Sequence, residues 1–242
     1  MRSGIKKLLP KVIRIIFPTK CLICNDWCNE ETSLCINCWK KIEFITNPQC
    51  ARCGYPFDFN AGTKALCAPC NQNLPYFDRA FAIFKYSTIS KSLIFKLKYH
   101  DQLHIARFLA QLIVNRLQDF YEYRIITSVP LHSKKIRERL YNQSAILASQ
   151  TAKLARLEFL PNILIKKRHD RPQSQLSRDQ RKKNILNSFV IAEDYMNFIK
   201  GKNIILIDDV YTTGSTVNEC SRVFKKAGCN KILVVTAART II

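Results

Sequence analysis

The stretch Ile205-Leu206-Ile207-Asp208-Asp209-Val210-Tyr211-Thr212-Thr213-Gly214-Ser215-Thr216 decides how this chain is read. The apolar run Asn203–Ile207 has the length and composition of a buried strand and delivers two adjacent carboxylates to the loop after it. Small hydroxyl residues and a glycine come next, after which Ser215–Ala227 keeps helical spacing up to Gly228, placed as its C-cap. Such a loop offers backbone N–H groups, hydroxyls and the positive end of a helix dipole to a phosphate. Gly214 allows close backbone approach, and the two acids stand where the hydroxyls of an attached sugar would lie. A metal site or a plain structural turn is the competing reading of a bare Asp–Asp pair.

Outward from this stretch, Ile125–Val129 reads as a buried strand ended by Pro130, and Ile232–Ala237 as another. Leu103, Phe108, Leu109, Leu112, Ile113 and Leu117 follow helical spacing. Apolar runs alternating with helical patterns from Tyr76 onward predict an α/β fold, a parallel sheet with flanking helices. Ligands of such sheets sit beyond the carboxyl ends of the strands.

The first third of the chain is different. Four C-x-x-C pairs occur in succession, Cys21/Cys24, Cys35/Cys38, Cys50/Cys53 and Cys67/Cys70, with ten residues between the first two pairs and thirteen between the last two. Two intervening residues let both sulfurs of a tight turn reach one ion, and two such knuckles complete a tetrahedron around Zn2+. All four ligands then come from protein, which leaves no open position for a catalytic water and makes the zinc structural. Sequential pairing and a cross-braced arrangement both satisfy the spacing. A redox role fits poorly, since thioredoxin-like sites use one pair at a helix start. Cys28 lacks a partner at the right spacing, and Cys220 and Cys229 read as small apolar residues. Trp27, Trp39, Phe44, Tyr55, Phe57 and Phe59 form either the core of a small zinc domain or a base-stacking surface. The polar run at 71–75 reads as a linker, so the expected organisation is a basic amphipathic segment over 1–20, a double zinc ribbon over 21–75 and the α/β domain over 76–242.

Lys and Arg number 39 against 18 Asp and Glu, a formal charge of +21. Two zinc tetrathiolates would take that to about +17, since each carries a net charge of −2. The excess points to a polyanionic partner, with nucleic acid the first candidate. Eight Lys or Arg residues fall in 166–183 against only Asp170 and Asp179. They suit a solvated face, a mobile lid over pyrophosphate or a DNA backbone. His100 and His104 have i, i+4 spacing without a third ligand nearby. The longest apolar run of segment 1–20 is Ile15-Ile16-Phe17, against about 7–15 residues for a secretory signal and roughly 20 for a membrane span. No integral membrane segment is expected, and four C-x-x-C pairs without an export signal point to metal in a reducing compartment.

The 204–216 stretch resembles the motif that binds phosphoribosyl pyrophosphate (PRPP) in type I phosphoribosyltransferases. The resemblance implies that Asp208 and Asp209 bind the ribose hydroxyls, as the residues on which catalysis would turn, while Thr212, Thr213, Gly214, Ser215 and Thr216 cradle the 5′-phosphate. Two further stretches, Pro130-Leu131-His132-Ser133-Lys134 leading to Arg139-Leu140-Tyr141-Asn142-Gln143, and Arg168 to Asn184 with its Arg171-Pro172-Gln173 core, resemble those of the ComF family. Leu140 departs from that pattern, where a glycine is usual. By resemblance, Pro130 and Lys134 lie near the pyrophosphate, which Mg2+ accompanies, and Arg178 belongs to a loop that closes over PRPP. The resemblance further implies a role in natural transformation, in the cytoplasm, on incoming single-stranded DNA and beside proteins of the DNA-uptake machinery. Arg178, Arg181, Lys182 and Lys183 are the expected DNA contacts. A metabolic phosphoribosyltransferase of nucleotide synthesis or salvage is the alternative.

Overall fold

Described in the computed structural model are residues 19–28, 34–99, 102–131, 141–167 and 187–241. Segment 1–18, Lys134 and the basic cluster Arg178, Arg181, Lys182 and Lys183 lie outside them. The cysteine-rich part contains the two-residue strands β1 (Thr19–Lys20) and β2 (Trp27–Cys28) and the short helices α1 (Ile36–Lys40) and α2 (Ala68–Gln72). Next come β3 (Arg79–Lys85), α3 (Thr88–Tyr99), α4 (Gln102–Leu117), β4 (Ile125–Ser128), α5 (Gln143–Ala155) and β5 (Glu158–Phe159). The chain finishes with β6 (Leu164–Lys166), β7 (Phe189–Ile191), β8 (Asn203–Tyr211), α6 (Ser215–Lys226) and β9 (Lys231–Arg239).

Five strands form one parallel sheet in the order β3-β9-β8-β4-β5. The α/β class expected from sequence, with flanking helices and a four-cysteine segment in front, is the class observed. The alternation of β8 divides the core in two. Ile205 and Ile207 pack with Leu93, Leu97, Leu109 and Leu147 of α3, α4 and α5. Ile204 and Leu206 pack with Val217 and Phe224 of α6 and with Leu164 and Phe189 of the antiparallel pair β6–β7. Burial on both faces explains why β8 and β9 read as continuous apolar runs rather than alternating ones.

Both strands outrun their expected ends. β9 continues to Arg239 and offers β8 a backbone partner as far as Tyr211, so Asp208 lies in the ladder opposite Thr236 and not in the loop. β4, by contrast, ends at Ser128, just before Val129 and Pro130.

The cysteine-rich segment is packed onto the sheet. Outside β9, the exposed edge of β3 would present unpaired backbone groups, a template for aggregation. Here Ala80 N donates to Arg52 O, Ile45 N to Ile83 O and Lys85 N to Glu43 O, at 2.8, 2.9 and 2.8 Å. Gly54, at φ +70°, sits so close that a Cβ there would meet Ala80 O at 2.5 Å. Cys21 and Cys38 join the core on the α3–α4 side, whereas Cys50, Cys53, Cys67 and Cys70 join the core on the α6 side. Two cations tie the segment down: Lys96 donates to Leu22 O and Ile23 O, and Arg116 to Ile45 O and Ala82 O.

Candidate functional site

β8 carries its acid pair to the carboxyl edge of the sheet, and the loop beyond it turns directly into α6. Gly214 stands at the helix N-cap with φ +74°, in the left-handed region that favours glycine. Thr213 Oγ1 and Ser215 Oγ lie 2.9 Å apart, and Ser215 N donates to Thr213 Oγ1. The loop borders a shallow hollow, open to solvent, lined by Asp208, Tyr211, Thr212, Gly214, Ser215 and Thr216. At its base a twelve-residue helix begins, and the N-terminal end of such a helix favours an anion through its dipole and backbone N–H groups.

The two acids are not equivalent. Asp208 lines the hollow and Asp209 does not. Asp208 Oδ1 accepts from Ser144 Oγ and from Asp209 N, each at 3.0 Å. Asp209 is buried and engaged from every side: Oδ2 accepts from Lys98 Nζ at 2.8 Å and Gln143 Nε2 at 3.1 Å, and Oδ1 from Val210 N at 2.7 Å. Burial, and then the neighbouring Asp209 charge, push the Asp208 carboxyl up to about 7. Asp208 is thus the acid that faces the hollow, and Asp209 anchors α3 and α5 to the strand.

Lys98 carries no motif and was not among the expected site residues. It reaches the acids from the last turn of α3, and its one sequence-level signal was a lysine on the buried side of that helix. Of the Asn142–Gln143 pair, Asn142 is a helix cap, accepting from Ser144 N and Ala145 N while donating to Val129 O. Gln143 alone reaches an acid. Pro130 comes after β4 beside β8, at the same edge of the sheet. The segment carrying Arg178, Arg181, Lys182 and Lys183 joins β6 to β7, and Lys134 lies between β4 and α5; no geometry is described for these five.

The eight knuckle cysteines converge as Cys21, Cys24, Cys35 and Cys38 in one centre and Cys50, Cys53, Cys67 and Cys70 in a second, the sequential pairing. All the sulfurs of a centre lie within 4.8 Å of one another. Cys24 and Cys35 stand 3.7 Å apart and Cys53 and Cys67 3.5 Å, which fits a tetrahedron with Zn–S bonds of about 2.3 Å. Backbone donors point at sulfur, Cys38 N at Cys35 Sγ, and Cys53 N and Cys67 N at Cys50 Sγ, as thiolates require. The Cys53 side chain, helped by those N–H groups, draws Cys50 down to about 4. Cys28 lies outside both centres, and burial first, then the neighbouring sulfur charges, raise its thiol to about 11. Cys220 and Cys229 are buried, as expected of small apolar residues. Trp39 and Phe44 pack together at 5.1 Å between ring centroids, while Trp27 and Phe59 are largely exposed. Among the described residues no helix is long and apolar enough to cross a membrane.

Residues 12–71 match the model of the double zinc ribbon domain. The chain is 30% identical over 230 residues to competence protein F of Haemophilus influenzae, covering 92% of this chain and 98% of that protein. Competence protein ComFC of Streptococcus pneumoniae is 24% identical over 238 residues, covering 91% and 100%. DNA utilization protein YhgH of Escherichia coli K12 is 27% identical over 200 residues, covering 79% and 84%. Among solved structures, glutamine PRPP amidotransferase from B. subtilis superposes with a TM-score of 0.42 at 19% identity, over 61% of this chain and 30% of that one. A purine phosphoribosyltransferase from Pyrococcus horikoshii gives 0.34 at 17% identity, over 55% and 80%.

Proposed function

Since this chain belongs to the competence protein F (ComF) family, we propose that it serves natural transformation by binding PRPP, or a related ribose phosphate, and single-stranded DNA. The observation that carries the ligand is the placement of Asp208 on the rim of a hollow whose floor is the Gly214–Thr216 helix start. A 5′-phosphate on the N–H groups and hydroxyls of 212–216 would bring the ribose to the acid side, where Asp208 accepts from a ring hydroxyl and Asp209 holds Lys98 and Gln143. By the family resemblance, Pro130, Lys134 and Arg178 would serve the diphosphate. Mg2+ bound with the diphosphate would supply charge neutralisation there and would call on few protein ligands. If the phosphoribosyl group is transferred, the C1–diphosphate bond breaks as a nucleophile attacks, and this chain contributes orientation and charge rather than a covalent group.

The DNA half of the reading rests on the +21 charge and on the Arg178, Arg181, Lys182 and Lys183 cluster, whose charge exceeds what one pyrophosphate needs. The test is to incubate the protein with PRPP and Mg2+, with and without single-stranded DNA, following pyrophosphate release, and to measure DNA affinity against salt. The proposal expects DNA binding with a steep salt slope, about 0.7 counterions released per phosphate, that flattens when the four cations are neutralised. It also expects no pyrophosphate release unless DNA is present. Rapid release without DNA, together with weak and salt-insensitive DNA binding, would replace it with the metabolic transferase.

A further inference from the structure

Arg239 stands between the second cysteine centre and Tyr211, the ring beside the phosphate loop. Arg239, the last residue of β9, is buried. Its Nη1 donates to Cys53 O, and its Nη2 lies 3.5 Å from Cys53 Sγ. The guanidinium lies 4.2 Å from the centroid of the Tyr211 ring and 5.3 Å from that of Tyr55. Its Nε finds no hydrogen-bond partner, and no carboxylate pairs with it, among the described residues. A buried cation without an acid needs another negative charge, and four thiolates around one Zn2+ supply two.

The other side of the guanidinium faces the site. Tyr211 is the β8 residue opposite Arg239 in the ladder, and its hydroxyl lies against Gly214, where a Cβ would come within 2.2 Å of it. The Tyr211 ring is therefore clamped between the guanidinium and the turn of the phosphate loop. We infer that Arg239 is the counter-cation of the second cysteine centre and the positioning residue that holds Tyr211 against Gly214, so that metal at that centre keeps the 212–216 loop in shape. The first centre, packed with α3 and α4 on the opposite face of the sheet, has no such link to the loop among the described residues. The inference takes from the proposed function only that 212–216 is the phosphate loop.

The test uses the full chain, a chromophoric chelator and hydrogen exchange, and no sugar phosphate, so a protein that ignores PRPP would sink the proposed function and leave this inference standing. In Arg239→Met, one zinc per chain should leave at least about tenfold faster than in the parent while the other keeps its rate, the scale typical of lost outer-shell partners. Arg239→Lys, which restores the cation, should return release to within about threefold of the parent. Amides of 211–216 should exchange faster in Arg239→Met and in parent protein stripped of the second zinc. Cys24→Ser, which disables the first centre, should keep parental exchange there. Both zinc ions leaving Arg239→Met at parental rates, or parental exchange over 211–216 once the second zinc is gone, would overturn the inference. Should Arg239→Met not fold, the stripped parent against Cys24→Ser decides by itself.

Discussion

Lys98 Nζ stands 2.8 Å from Asp209 Oδ2, so one of the two acids of the site is already neutralised by a helix that no phosphate motif includes. Both side chains are mostly buried, at 23% and 11% exposure, which makes the pair costly to break from one side. Lys98→Met should destabilise the chain by about 1–3 kcal/mol in urea unfolding, below the figure for a fully buried pair because some water reaches it. Lys98→Met with Asp209→Asn should recover much of that loss, giving a coupling energy of about 1–2 kcal/mol. Strict additivity of the two single effects would mean that the pair is incidental.

The raised Asp208 carboxyl ties stability to pH. Its folded value, near 7, lies above that of an unfolded aspartate, so the folded chain holds this proton more tightly. The stabilisation is complete below about pH 4 and is lost as pH rises through about 7. Asp208→Asn, which cannot ionise, should remove this decline, and the difference in melting temperature between variant and parent should grow from pH 5 to pH 8 in favour of the variant. Parallel curves across that window would deny Asp208 its protonated state.

Gly214 sits in the left-handed region and against the Tyr211 hydroxyl, so a side chain there is penalised twice. Gly214→Ala should lower stability by about 1–3 kcal/mol and abolish protection by ribose 5-phosphate in thermal melts, because the loop must move away from Tyr211. A variant that melts and responds like the parent would place the ligand elsewhere.

Metal analysis of purified, reduced protein should find two zinc ions per chain, one for each four-cysteine centre. Because Cys67 and Cys70 share a core with Phe77, Leu206 and Phe224, Cys67→Ser should lower the melting temperature of the whole chain in one transition. Two separated transitions, with an unaltered second one, would mean that the cysteine-rich segment folds apart from the sheet.

Much of the fold and the position of the candidate site were legible from residue order because they depend on local spacing. The C-x-x-C pairs, the β8 run, the acid pair and the loop each announce their chemistry within a dozen residues. The inequality of Asp208 and Asp209 was not, since it arises from which partners arrive from α3 and α5, and sequence order says nothing about that. Lys98 is one lysine of a basic helix, distinguished only by the side it faces. Arg239 did leave a trace: a charged residue closing the apolar run 232–238 has to find a partner indoors, but the run itself cannot say that the partner is Cys53. Asn142 and Gln143 are neighbours in sequence, yet the Asn142 side chain caps the start of α5 and only Gln143 reaches an acid, a division that residue order does not announce.

Calorimetric titration of PRPP with Mg2+ into the parent and into Asp208→Ala with Asp209→Ala tests the central claim most directly. The account predicts saturable binding of one PRPP per chain to the parent and affinity at least about 100-fold weaker in the double variant, the loss of the groups that fix the ribose (about 2.7 kcal/mol or more). Equal heats and equal affinity in the two proteins, with the variant folded, would contradict it.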